Sequence, residues 1–106
     1  MSKSNELTQQ IIRYIHEQGG YAWRASSVGV YDQSRGIYRT APKKGVSDVL
    51  ACYNGRLIAI EVKIGKDHLS PEQEGFIKCV NHAGGYAFVA KTYEEFVQLW
   101  DLLVEE

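Results

Sequence analysis

The sequence predicts an α/β domain: a mixed sheet flanked by helices, with elements in the order αβββαβ plus a C-terminal helix. Three observations predict it. Asn54-Gly55 lies between two apolar runs, which signals a hairpin with a two-residue type I′ turn. Two later segments open on capping sequences, Ser70-Pro71-Glu72-Gln73 and Thr92-Tyr93-Glu94-Glu95, and continue with apolar residues at helical spacing. Between those two segments, Tyr86 to Ala90 reads as a short apolar strand.

Helix one is expected from about Asn5 to Gln18, where Leu7, Ile11, Tyr14 and Ile15 recur at helical spacing before Gly19-Gly20. Glu6 falls in its first turn, where the helix dipole favours an acid. Tyr21 to Arg24 is expected to be a short strand. Ala25 to Gly45 reads as a long loop with a hairpin around Gly36, and loops of this length in small domains are usually functional or disordered. In the central hairpin both faces are apolar: Val49, Ala51, Ile58 and Ile60 on one, Leu50, Cys52, Leu57 and Ala59 on the other. Strands of that kind are usually covered on both sides. The next helix carries Phe76, Ile77 and Val80 inward and stops before Gly84-Gly85. The final helix carries Phe96, Leu99, Trp100 and Leu103 inward.

At 106 residues, the chain is expected to form one domain over 1–106. It has neither an apolar run of membrane-spanning length nor a secretory leader pattern, so the expectation is an intracellular protein with no membrane partner. Cys52 and Cys79 form no zinc-type cluster and are read as small core residues. The net charge of −1 hides an asymmetry. Arg24, Arg35, Arg39, Lys43 and Lys44 crowd a stretch with one acid, Asp32, while everything after Thr92 is acidic or neutral. A basic, Ser/Gly/Tyr-rich segment suits contact with phosphates; a plain solvated loop explains it equally well. Trp23, Tyr31 and Tyr38 flank these basic residues and suit base stacking, although the core is the commoner place for a Trp. His16, His68 and His82 are not spaced to share a metal.

The chemistry lies in the hairpin. A two-residue turn fixes the register, so Tyr53 faces Arg56, Val49 faces Ile60 and Asp48 faces Glu61. Opposed residues share a face, with Cβ atoms about 4.5–5.5 Å apart. Two carboxylates so placed repel unless a proton or cation lies between them. Alternation adds Lys63 to the same face. A Glu-x-Lys pair on a solvated strand is commonplace. Here it lies in the interior-type run Ile58 to Ile64 with an acid opposite, and buried charges need partners or a metal.

Glu6, Trp23-Arg24, Lys44-Gly45-Val46-Ser47-Asp48, Glu61-Val62-Lys63 and Leu69-Ser70-Pro71-Glu72-Gln73 together resemble the PD-(D/E)XK nuclease superfamily, and most of all the minimal stand-alone VRR-NUC form found in phages. The resemblance runs from about Glu6 to Tyr93; Ser47 stands where the superfamily name has proline. It implies a restriction-endonuclease-like core and a divalent cation, Mg²⁺ or Mn²⁺. Asp48, Glu61 and the carbonyl of Val62 would be its ligands, and Glu6 would complete the site directly or through water. Lys63 would orient or help deprotonate the attacking water, and Gln73 would hold that water or Lys63. Gln73's capping role accounts for it nearly as well.

The resulting expectation is a metal-dependent endonuclease for branched DNA, with four-way junctions as the favoured substrate, acting as a homodimer, with Arg24, Arg35, Arg39, Lys43 and Lys44 on the DNA. A flap or duplex-end nuclease is the alternative enzyme. A non-catalytic nucleic-acid-binding module is the alternative of another class.

Overall fold

In the computed structural model, residues 2–25, 30–32, 36–39 and 44–105 are described. Helix α1 spans Lys3–Glu17, with Ser2 as N-cap accepting from the Asn5 N–H at 3.2 Å. Its stripe of Leu7, Ile11 and Ile15 is buried. Strand β1 follows at Tyr21–Arg24. The expected hairpin around Gly36 is present as β2 (Val30–Asp32) and β3 (Ile37–Arg39), a separate two-stranded sheet in which Tyr31 pairs with Tyr38.

The central hairpin is β4 (Val49–Tyr53) and β5 (Arg56–Val62). Asn54 and Gly55 both have positive φ, 54° and 80°, as a type I′ turn demands. Val49 therefore pairs with Ile60, Leu50 with Ala59 and Tyr53 with Arg56. Helix α2 (Pro71–His82) carries the full capping box at Ser70 and Gln73. Strand β6 (Tyr86–Ala90) pairs parallel to β5, and α3 (Tyr93–Val104) ends the chain. At α3, Thr92 accepts from the Glu95 N–H. The Glu95 carboxylate reaches the N–H of Lys91 at 3.2 Å, so this end lacks the reciprocal bond of a full capping box.

The four-stranded sheet has the order β1-β4-β5-β6. One side packs on α1 and α3, with Val49, Ala51, Ile58, Ile60 and Val62 meeting Ile11, Ile15, Phe96 and Trp100. Tyr14 and Tyr53 meet the Trp100 ring edge-on at 6.2 and 4.9 Å. Truncating a ring so fully buried costs about 3–5 kcal/mol. On the other side, α2 covers Leu50, Ala59 and Ala87 with Phe76, Ile77 and Val80.

Coverage of that second side is incomplete, contrary to the apolar pattern. Leu57, Tyr21 and Trp23 are exposed, as is Cys52; Cys79, on α2, is exposed too. One helix covers the middle of this side but leaves β1 and the turn end of the hairpin, where Tyr21, Cys52 and Leu57 share a row, open. Trp23 and the two cysteines are therefore surface residues rather than core.

Both sheet edges are closed by side chains. Asn81 donates to the Ala87 carbonyl at 3.0 Å and accepts from its N–H at 2.8 Å. On the opposite edge, His16 Nε2 lies 3.0 Å from both the N and O of Ala22. Among the described residues, no helix is long and apolar enough to cross a membrane.

Candidate active site

The β4–β5 ladder ends at Val49–Ile60, and Asp48, the next residue, meets the Glu61 side chain at the end of the hairpin remote from its turn. Asp48 is fixed by its own carboxylate, whose Oδ2 accepts the N–H of Val62 at 2.7 Å. The Lys63 N–H donates to the Ala90 carbonyl at 3.1 Å, which prolongs the β5–β6 ladder under the lysine. Lys63 Nζ then lies 4.0 Å from Glu61 Oε1.

Glu61 is only 2% exposed, although it is a carboxylate. Burial, then a hydrogen bond with Asp48 and that residue's negative charge, push its pKa up from 4.5 to about 8; Lys63 pulls the other way. Two ionised carboxylates offer each other no donor, so this contact calls for a proton or a cation between them. The Glu61 Oε2 atom is buried and receives no hydrogen bond among the described residues, while Oε1 accepts from Gln73 Nε2 at 3.1 Å. Paired hard oxygen donors, one of them orphaned in the interior, fit a divalent cation.

Gln73 reaches Glu61 because the capping box fixes its side chain. Its Oε1 accepts the Ser70 N–H at 2.9 Å, and its backbone N–H donates to Ser70 Oγ at 3.1 Å. The amide thus bridges the start of α2 to the buried acid. The turn at Lys44-Gly45 presses on the same helix end. Gly45 has a φ of +84°, and a Cβ there would lie 2.3 Å from the Glu72 carbonyl oxygen. The sequence showed this glycine without showing what it touches.

Asp48, Glu61, Lys63 and Gln73 are thus brought together, and the Val62 backbone joins them through Asp48. Glu6 is exposed in the first turn of α1. Among the described residues, no three His, Cys, Asp or Glu side chains are grouped tightly enough to hold a metal, so Glu6 is not drawn into a three-acid cluster. Arg24 is exposed and donates to Asn5 Oδ1 at 3.2 Å; Lys44 is exposed in the turn before Asp48. Arg39 takes its place in β3, and Arg35 and Lys43 lie outside the described residues.

No protein-family model and no curated protein matches the chain. Solved structures do. A VRR_NUC domain superposes with a TM-score of 0.70 at 17% identity, over 95% of this chain and 97% of the other. Hjc of Archaeoglobus fulgidus, a Holliday junction resolvase, superposes with a TM-score of 0.56 at 24% identity, over 83% of this chain and 67% of the other. At these identities the likeness is one of architecture, and the chain has the VRR-NUC-like nuclease fold.

Proposed function

We propose that the chain is a metal-dependent endonuclease that hydrolyses DNA phosphodiesters, with four-way junctions as substrate and a homodimer as its working form. The observation that carries this reading is the contact of Asp48 with buried Glu61, with Lys63 Nζ near the same carboxylate and Gln73 bonded to it. Asp48, Glu61 and the Val62 carbonyl would hold Mg²⁺ or Mn²⁺, with Glu6 completing the site through water. When bound, the ion supplies Lewis acidity at the phosphate and a lowered pKa for water.

The chain's own residues do the rest. Asp48 is held rigid by the Val62 N–H. Gln73 holds one oxygen of Glu61 and leaves the other unbonded. Lys63, on the same face, orients the attacking water and stabilises charge that develops on the phosphate. Arg24, Arg35, Arg39, Lys43 and Lys44 would contact the DNA backbone and give binding its salt dependence. A C₂ dimer supplies two sites for two symmetric cuts, in keeping with the resolvase among the structural relatives. Such a substrate places the work in the cytoplasm of a bacterial or phage-infected cell.

The test is a panel of labelled duplex, flap, splayed and four-way DNAs with Mg²⁺, run beside Asp48→Asn, Glu61→Gln and Lys63→Ala. Paired symmetric nicks in the junction, lost in all three variants, are the expected result, with twice the chain mass in light scattering. A monomer that cuts flaps or duplex ends as readily as junctions would favour a flap or end nuclease. Tight binding without cleavage would favour a non-catalytic binding module.

A further inference from the structure

The acid-bearing side of the sheet is open over β1. Tyr21 pairs with Cys52 and Trp23 with Leu50, and the next row on that side is Ala25 beside Asp48, where the Ala25 N–H meets the Asp48 carbonyl at 2.8 Å. Trp23 therefore stands one row, about 7 Å along the strand, from the acid pair. It is 41% exposed, and Tyr21 is 67% exposed.

These rings are not scattered surface residues. The Tyr21 and Trp23 centroids are 5.7 Å apart at a 39° tilt. The His16 ring stacks on Tyr21 at 5.9 Å and 18°. His16 is itself held at the backbone of Ala22. The result is a three-ring ladder anchored to α1 at one end and directed toward Asp48 at the other.

The occupant follows from geometry. A docking β-strand would need both the outward N–H and C=O of Ala22, and His16 Nε2 sits against them, bonding one or the other according to its tautomer. Planar faces remain available. β1 carries no acid, and Arg24 turns to the other side of the sheet, where it donates to Asn5 on α1. Two exposed aromatic faces beside the acid pair complement the bases of an unpaired strand.

We infer that Trp23 and Tyr21 form a stacking platform for unpaired nucleobases, which seats a single-stranded segment beside the phosphate presented to Asp48 and Glu61. The inference rests on the nuclease reading; the arms of a four-way junction are paired, so the platform would hold bases that open at its crossover, next to the cut.

The protein carries its own reporter. Of its two tryptophans, Trp100 is 1% exposed in the core, and Trp23 is at the surface. Titration with a short oligothymidylate in EDTA should quench the Trp23 fluorescence saturably. By anisotropy of a labelled oligothymidylate, Trp23→Ala should weaken binding roughly 5- to 100-fold and Tyr21→Ala several-fold, while Trp23→Phe stays near wild type. A blunt duplex should lose far less. Unchanged oligothymidylate affinity in Trp23→Ala, or an equal loss for duplex, would overturn the platform. So would a Trp23→Ala protein that turns from dimer to monomer with single-strand affinity intact, since the face would then join two copies. Mg²⁺-dependent cleavage without quenching sinks the platform alone. Quenching without cleavage of any DNA sinks the nuclease reading and leaves the platform.

Discussion

Gln73 donates its side-chain N–H to Glu61 Oε1 at 3.1 Å while its own Oε1 caps α2 through the Ser70 N–H. One amide therefore ties a helix start to the most buried acid of the site. The two roles can be separated. Ser70→Ala removes the cap hydroxyl and should cost about 1 kcal/mol of stability with cleavage largely kept. Gln73→Ala should also lower single-turnover cleavage about 10- to 100-fold, since groups that orient a metal ligand typically matter by that much. Equal cleavage by the two variants would reduce Gln73 to a cap.

The raised pKa of Glu61 sets a pH dependence for the metal-free protein. The folded state holds this proton up to about pH 8, whereas the ordinary value is 4.5. The folded state binds the proton more tightly, so the stabilisation is full below about 4.5 and is lost as pH rises toward about 8. Thermal melts in EDTA should therefore show a fall across that window, and Glu61→Gln should flatten it. Mg²⁺ held by the ionised pair, as proposed, would restore the melting temperature most at the alkaline end.

Gly45 is a steric requirement of the same helix end. Its φ of +84° and the 2.3 Å approach of an added Cβ to the Glu72 carbonyl oxygen leave no room for alanine. Gly45→Ala must move backbone on one side of the contact and should destabilise by roughly 2 kcal/mol or more. Urea denaturation with cleavage at matched folded fraction would check it. The residual activity should be low, because the displaced helix start carries Gln73.

Ser47 makes the opposite prediction. Its side chain is fully buried, and its Oγ has no hydrogen-bond partner among the described residues. Removing an unsatisfied hydroxyl recovers its desolvation cost, so Ser47→Ala should be neutral or up to about 1 kcal/mol more stable, with cleavage unchanged. A marked loss of stability in urea denaturation would contradict the unpaired state.

Local chemistry made much of the fold legible. Asn54-Gly55 dictates a turn with two positive φ angles, and a two-residue turn leaves one register from Tyr53–Arg56 to Val49–Ile60, which brings Asp48 to Glu61. Ser70, Pro71 and Gln73 mark the start of α2 because orphan N–H groups need acceptors within a few residues. The tertiary structure decided what depends on which surfaces meet. Alternation shows that Trp23, Leu57 and Cys52 face the second side, but not that α2 spans only part of it. They read as core and are exposed. Sequence spacing likewise cannot bring the Gln73 amide to Glu61 or press Gly45 against Glu72, since those contacts join segments far apart in the chain. Short-range hydrogen bonding and side-chain period are written locally; coverage, burial and the resulting shift of Glu61 arise only when helix and sheet are packed together.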